Sequence, residues 1–173
     1  ENIWWFALDK SDSLQLTKGN TEHYQSAEWT PDGNYVVGSR GIRNFKLWLF
    51  HKDGGGGAQL ISNPANLKIS EPAFGPDGRY IWFSQRNGAW NYNAQLPQYE
   101  LAVYDRDNGE VEQKTVRYGS AFTPTLSPDG KWLVYGSRYN DQTGLILRDL
   151  KSGDEKWLAY PVQRDEQESI APL

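Results

Sequence analysis

One short motif occurs three times in this chain: an apolar residue, a small residue, Pro-Asp-Gly, a variable residue and then an apolar run. The three turns are Pro31-Asp32-Gly33, Pro76-Asp77-Gly78 and Pro128-Asp129-Gly130. Proline fixes φ at the second position of a tight turn, aspartate caps its own backbone, and glycine tolerates the conformation that follows. Each copy therefore predicts a strand, a tight turn and a second strand.

The spacing of the copies indicates a repeat architecture. Pro31 and Pro76 are 45 residues apart, and Pro76 and Pro128 are 52 apart. A period near 45 residues with a hairpin in each unit is typical of β-propeller blades. The strand after each turn is apolar on both faces, as in the run from Tyr80 to Phe83, which fits a blade packed between two others. No stretch combines helical periodicity with helix start and stop signals.

This pattern, with a later strand ending in Asp-x-x-Gly, resembles the TolB-type (WD40-like) propeller repeat. The resemblance covers nearly the whole chain and implies an all-β fold, a β-propeller of four-stranded antiparallel blades. Three complete blades and half of another are expected, which makes a partial, open propeller. Propellers host many unrelated activities, so the repeat specifies the fold far better than the function.

The chain is predicted to be a single propeller domain of five successive units. These are a half blade (1–20, strands c and d), three whole blades (21–64, 65–118 and 119–160) and a linker to a further blade (161–173). From the turn glycine to the next c–d turn, the blades take 20 residues (33 to 53), 29 (78 to 107) and 21 (130 to 151). The second blade therefore carries an insertion between strands b and c, at 86–99.

Composition excludes several classes of function. The net charge is −4, which argues against a nucleic-acid partner. The chain has no cysteine, hence no disulfide and no Cys-ligated metal. No apolar run is long enough to span a membrane. The chain also contains no methionine and shows no signal sequence, and we interpret it as an internal piece of a longer polypeptide.

Arginines recur where strand b meets the b–c loop. Arg40, Arg86 and Arg138 are predicted to occupy matching positions and to form an arc on one face, together with Arg43. Such an arc suits an anionic ligand group or a partner's carboxylates. The alternative is a set of inter-blade ion pairs with residues such as Glu28 or Glu71.

The b–c insertion is expected on the same face, because b–c loops emerge opposite the Pro-Asp-Gly turns. Its aromatic residues Trp90, Tyr92 and Tyr99 are typical of a contact surface for a protein or small-molecule ligand. They would instead be structural if the loop folds back on its blade. Charge and aromatic residues coincide on this face, so we predict that it is the working face.

The sequence offers no catalytic constellation. Its two histidines, His23 and His51, lie in a linker and at a strand end, and we expect neither to bind metal. There is no Gly-x-Ser-x-Gly elbow, and Ser39, Ser84 and Ser137 look like equivalent repeat residues. The run from Gly54 to Gly57 lacks the lysine and helix of a phosphate-binding loop. The motif aspartates are expected to serve their own turns.

Three functional hypotheses remain open, and all of them place the chain in the periplasm or outside the cell. The resemblance implies a non-catalytic propeller that gates or binds substrate for an attached hydrolase of the amidohydrolase or prolyl-oligopeptidase type. The segment 160–168 is similar to one in amidohydrolase propellers, and a metal would then belong to that attached domain. The second hypothesis is a protein-binding scaffold of the periplasmic TolB kind. The least favoured is a propeller lyase or glycosidase.

The open ring leads to a further expectation. A propeller closes with about four to eight blades, and the inner edge of the half blade, from Ile3 to Leu8, is apolar and unprotected by proline or lysine. We therefore expect further blades of the same polypeptide, another of its domains, or another copy, to cover the open ends.

Overall fold

The computed structural model describes residues 1–65, 67–86, 98–139 and 142–159, and within them every regular element is a β-strand. The half blade contains β1 (Trp4–Phe6) and β2 (Ser13–Gln15). The first whole blade contains β3 (His23–Trp29), β4 (Tyr35–Gly41), β5 (Lys46–His51) and β6 (Ala58–Gln59). The second contains β7 (Lys68–Phe74), β8 (Tyr80–Arg86), β9 (Glu100–Asp105) and β10 (Val111–Gln113). The third contains β11 (Phe122–Leu126), β12 (Trp132–Tyr139), β13 (Gln142–Asp149) and β14 (Glu155–Ala159).

The sheets have the predicted blade topology. Three four-stranded sheets each follow chain order, and β1 and β2 form a separate two-stranded sheet. All pairings are antiparallel; in the second blade, for example, Trp82 lies opposite Ala73 on one side and Val103 on the other. The prediction of three whole blades and half of another is therefore confirmed.

The Pro-Asp-Gly turns form as their chemistry requires. In the first, the Thr30 hydroxyl donates to Asp32 Oδ1 at 2.5 Å, and the Asn34 amide donates to the same oxygen at 3.1 Å. These bonds lower the pKa of Asp32 to about 2. Gly33 has φ of 67°, and the glycines of the other two turns have φ of 67° and 68°, a left-handed conformation that glycine adopts without strain.

Successive turns also touch one another. A Cβ placed on Gly78 would lie 3.3 Å from Pro31 Cδ, and one placed on Gly130 would lie 3.0 Å from Pro76 Cδ and Cγ. The glycine of each of these turns thus packs under the proline of the blade before it. The turns therefore lie together at one end of the blades.

Apolar side chains fill the spaces between neighbouring sheets, and each b strand contributes to both of its faces. In β8, Ile81 and Phe83 pack towards the first blade, whereas Trp82 packs towards the third. The half blade joins this arrangement through Ile3, which is buried with Phe50, and through Trp5, whose indole nitrogen donates to the Lys52 carbonyl at 2.8 Å. Burial on both faces confirms the expectation of stacked blades.

Each innermost strand carries a β-bulge at the same place. Ser26, Glu71 and Thr123 have φ of 53°, 54° and 52°, and each lies where the pairing with strand b shifts register. Left-handed backbone is uncommon for residues other than glycine and is costly for a β-branched threonine. Its threefold recurrence shows that the bulge is part of the repeat rather than a local irregularity.

The second bulge connects two blades. Glu71 Oε2 accepts from the Ser84 hydroxyl at 2.7 Å and from the Thr123 amide of the next blade at 3.0 Å. The Thr123 amide also lies 2.8 Å from Ser84 Oγ. Ser39, the counterpart of Ser84 in the first blade, is buried with no hydrogen-bond partner among the described residues.

Candidate functional site

The register of the sheets corrects one prediction about the arginines. Ser39, Ser84 and Gly136 are equivalent, because each pairs with the last residue before the bulge of its innermost strand. Arg86 and Arg138 follow by two residues, whereas Arg40 follows by only one. Side chains alternate between sheet faces, so Arg40 lies on the opposite face from the other two. The three arginines therefore do not occupy matching positions. Ser137 is likewise displaced by one residue from the positions equivalent to Ser39 and Ser84.

Arg40 is held firmly within its own blade. Its Nε and Nη2 donate to Glu22 Oε2 at 2.9 and 2.6 Å. Its guanidinium carbon lies 4.1 Å from the Trp48 ring centroid and 5.6 Å from that of Tyr24. Arg40 thus forms an ion pair with Glu22 within its own blade, and not the inter-blade pair with Glu28 or Glu71 that was the alternative.

The other predicted arginines also contact aromatic rings or solvent. The Arg86 guanidinium lies 5.8 Å from the Tyr99 centroid, and that of Arg138 lies 4.9 Å from Phe122. Arg43, in the first b–c loop, is exposed. The end of the blades opposite the turns therefore carries arginines supported by rings of their own blades, and the structure brings no anion-binding arc of three together.

Only the end of the predicted insertion can be placed. Trp90 and Tyr92 lie outside the described residues, as does the linker 161–173. The Tyr99 amide donates to Ser120 Oγ at 2.6 Å and its carbonyl accepts from the Ala121 amide at 2.8 Å. Tyr99 is thus fixed against the connection between the second and third blades.

A charged network, absent from the sequence-based predictions, joins that connection to the third blade. Arg117 Nη1 donates to Tyr135 Oη and to Glu155 Oε2, both at 2.8 Å. The Tyr135 hydroxyl donates to Glu155 Oε1 at 2.7 Å, and Arg148 Nη1 lies 3.2 Å from the same oxygen. Burial raises the pKa of the Tyr135 hydroxyl, so it stays protonated.

Beside this network, two cavities lie between the second and third blades. One, of about 430 Å³, reaches the Pro-Asp-Gly turns, and the other, of about 470 Å³, lies against the charged network. Both are lined by Lys114 and Arg148, so we treat them as one inter-blade cleft. Sequence reasoning missed this cleft, although one signal was present: Gly75 stands where the other two motifs have Thr30 and Ser127.

His23 is the first residue of β3 rather than part of a linker, and His51 lies at the end of β5 as predicted. His51 Nδ1 lies 3.5 Å from Asp53 Oδ2, and its ring makes an edge contact with Tyr35. In the part of the chain that the structure describes, no three His, Asp or Glu side chains lie close enough together to hold a metal ion. The same residues contain no helix whose length and apolar character would let it traverse a bilayer.

Comparison with curated proteins gives distant relatives of two kinds, and no protein-family model matches the sequence. The uncharacterized peptidase YuxL of Bacillus subtilis is 24% identical over 170 residues, covering 81% of this chain and 25% of the relative. The Tol-Pal system protein TolB of Francisella tularensis is 30% identical over 95 residues, covering 54% of this chain and 20% of the relative. The chain thus spans a quarter or less of the length of these relatives.

Solved structures agree on the fold. The crystal structure of TolB from Acinetobacter baumannii superposes with a TM-score of 0.71 at 20% identity, over 88% of this chain and 36% of that one. A puromycin-hydrolyzing peptidase of Mycobacterium tuberculosis gives a TM-score of 0.67 at 16% identity, over 88% and 23%. Three stacked antiparallel blades, their repeated turns and these superpositions identify the chain as part of a β-propeller whose fold is similar to that of TolB.

Proposed function

We propose that this chain is a non-catalytic propeller segment that gates or binds substrate for a hydrolase domain of the same polypeptide, in the periplasm or outside the cell. The prolyl-oligopeptidase type of hydrolase is favoured. The observation that carries this proposal is the similarity to the peptidase YuxL, which extends over 81% of this chain but only 25% of that protein. Most of that relative therefore lies outside the part this chain resembles.

The roles of the polar side chains support a scaffold. Glu71 joins two blades through Ser84 and Thr123. Arg117 and Glu155 likewise hold the third blade against the connection before it. In both places the carboxylate oxygens are taken up by hydrogen bonds that hold parts of the scaffold together. A nucleophile and general base would then be supplied by the attached domain.

A propeller can select substrates by size. Its innermost strands, here β3, β7 and β11, surround the centre of a closed ring. A peptide would have to pass this opening, or a gap between blades, to reach a catalytic site behind it. Short substrates would therefore be processed faster than long or folded ones.

The test uses the full-length polypeptide that contains this segment. A fluorophosphonate probe is expected to label one serine outside residues 1–173, and peptide mapping locates it, with heat-denatured protein as the control. Turnover of dipeptide anilides should exceed that of peptides of about thirty residues. Absence of labelling, or a label within the segment, would refute the proposal.

A second candidate is the protein-binding scaffold of the TolB kind. It is favoured by the match to the Francisella protein, whose 30% identity over 95 residues is higher than that of the peptidase relative. A polypeptide that ends after further blades and binds an envelope protein, without hydrolase labelling, would select it. The amidohydrolase alternative stays a prediction, since its supporting segment 160–168 includes no described residue; a downstream His-x-His motif would favour it and would supply the metal.

A further inference from the structure

Gly75 lines the part of the inter-blade cleft next to the turns. In the first and third motifs, Thr30 and Ser127 donate their hydroxyls to the aspartate of the turn, at 2.5 and 2.6 Å. Gly75 has no hydroxyl to give to Asp77. A Cβ placed on Gly75 would lie 3.6 Å from Asp77 Oδ1 and 3.7 Å from Leu126 Cδ2. A side chain here would thus extend from an ordinary contact distance into the cavity, and its absence leaves the wall open.

Apolar and aromatic side chains form one side of the cleft, in the cavity next to the turns. Trp82, only 8% exposed, lines the cavity next to the turns together with Tyr80, Leu126 and Leu150. Pockets of a few hundred Å³ with aromatic walls and a few polar groups are the usual form of small-molecule sites. The apolar part of a ligand would therefore be buried against the indole ring.

Lys114 and Arg148, the two cationic side chains that line both cavities, have hydrogen-bond donors left for a ligand. Arg148 is 25% exposed, and its hydrogen bonds to described residues come from Nη1 alone. Lys114 is 30% exposed and its Nζ contacts only the largely exposed Glu112 among the described residues. An exposed pair of this kind holds its partner weakly. A carboxylate entering the cleft would gain charge-assisted bonds from both side chains.

Acidic side chains limit the charge of the ligand, and Asp154 and Glu155 line the cavity at the charged network. Asp77 and Asp129 lie at the turns, and Asp129 has its pKa lowered to about 2 by bonds from Ser127 and Lys131. A fixed negative charge there repels a second anionic group. A polyphosphate is therefore excluded, and a ligand with one anionic end fits.

We propose that the inter-blade cleft binds a small amphipathic carboxylate, with its apolar body against Trp82 and its carboxylate at Lys114 and Arg148. This site is independent of the hydrolase or scaffold role of the whole polypeptide. Its cavity next to the turns lies at the opposite end of the blades from Arg86 and Arg138.

The test follows Trp82 directly in the full-length polypeptide. The protein is labelled with 5-fluorotryptophan, and its 19F resonance is assigned by a Trp82→Phe variant. Titration with 4-phenylbutyrate should shift that resonance saturably at millimolar concentration or below. The neutral isostere 4-phenylbutyramide should bind about tenfold more weakly, and inorganic triphosphate should not shift it.

Two variants and one control locate the site. Lys114→Gln should weaken phenylbutyrate about tenfold without affecting the amide. Gly75→Ser should narrow the cavity next to the turns and weaken both ligands, and it should leave the melting temperature unchanged because the two sister turns already carry a hydroxyl. Lys156→Gln, an exposed charge change outside the cleft, should have no effect. Equal binding of acid and amide, or unaltered binding in Lys114→Gln, would overturn the proposal.

Discussion

Replacing Glu71 with alanine should loosen the contact between the second and third blades. The substitution removes an acceptor shared by the Ser84 hydroxyl and the Thr123 amide. It keeps the left-handed backbone at φ 54° and the strain that this conformation imposes on any residue except glycine.

The size of the effect follows from the bonds that are lost. Hydrogen bonds to a charged group contribute about 1.5–3 kcal/mol each when buried. Glu71 is half-buried, and the Thr123 amide retains Ser84 Oγ at 2.8 Å as an acceptor, so we expect a loss of about 2 kcal/mol in total. Glu71→Gly loses the same bonds but relieves the left-handed strain, which recovers about 1 kcal/mol.

Hydrogen exchange measured by mass spectrometry reports local opening of the contact between the second and third blades, even in a multidomain protein. A factor of ten in exchange rate corresponds to about 1.4 kcal/mol, so peptides that cover Thr123 should exchange about thirtyfold faster in Glu71→Ala. Glu71→Gly should lie between that variant and the wild type. Ser26→Ala, at the equivalent bulge of the first blade, is the matched control and should leave these peptides unchanged.

The reasoning fails if Glu71→Ala exchanges like the wild type, because the carboxylate would then not hold the blades together. It also fails if the peptides that cover Thr123 exchange faster in Glu71→Gly than in Glu71→Ala, because the bulge would then carry no strain.

Three further outcomes can be measured. Arg40→Lys should lower stability by about 1–2 kcal/mol in thermal unfolding, since lysine loses the paired hydrogen bonds to Glu22 and the stacking on the Trp48 ring. An unchanged melting temperature would contradict this. The pKa of Asp32 in the folded protein, about 2, lies below its ordinary value of 3.8. The stability that this carboxylate contributes is therefore present above pH 3.8 and is lost as the pH falls towards 2. Thr30→Ala should raise that pKa, as followed by carboxyl 13C NMR. Residues 1–173 expressed alone should self-associate through the exposed apolar side chains of β1 and its end, Trp4, Phe6 and Leu8, and the Phe6→Lys variant should associate less. A monomer in sedimentation that unfolds cooperatively would refute the open-ring interpretation.

The blade pattern was readable from the sequence because a tight turn is a local event. Pro31, Asp32 and Gly33 determine their turn with little help from the rest of the chain, and the strands on either side follow from their apolar runs. The equivalence of Arg40 with Arg86 was not readable in the same way. It depends on the count of residues after each turn, and a difference of one residue moves a side chain to the other face of the sheet.

Contacts between blades were harder still to predict. The left-handed bulge at Glu71 has no glycine to mark it, so nothing in the sequence separates it from an ordinary strand. The cleft depends on the absence of a side chain at Gly75, which is visible only when the three motifs are compared position by position. Arg148 reaches that cleft from the third blade, and only the assembled fold brings it close to Gly75 and Lys114 of the second.

The contact between successive turns has a consequence for how such a ring can change in evolution. The second motif makes both contacts, since Gly78 fits under Pro31 of the blade before it and Pro76 covers Gly130 of the blade after it. A duplicated blade therefore arrives with a complete joint on each side and needs no new complementary surface. The number of blades can therefore change by duplication or loss of whole repeats. A single substitution beside one turn, such as glycine in place of serine at position 75, can give the contact between two blades a separate role.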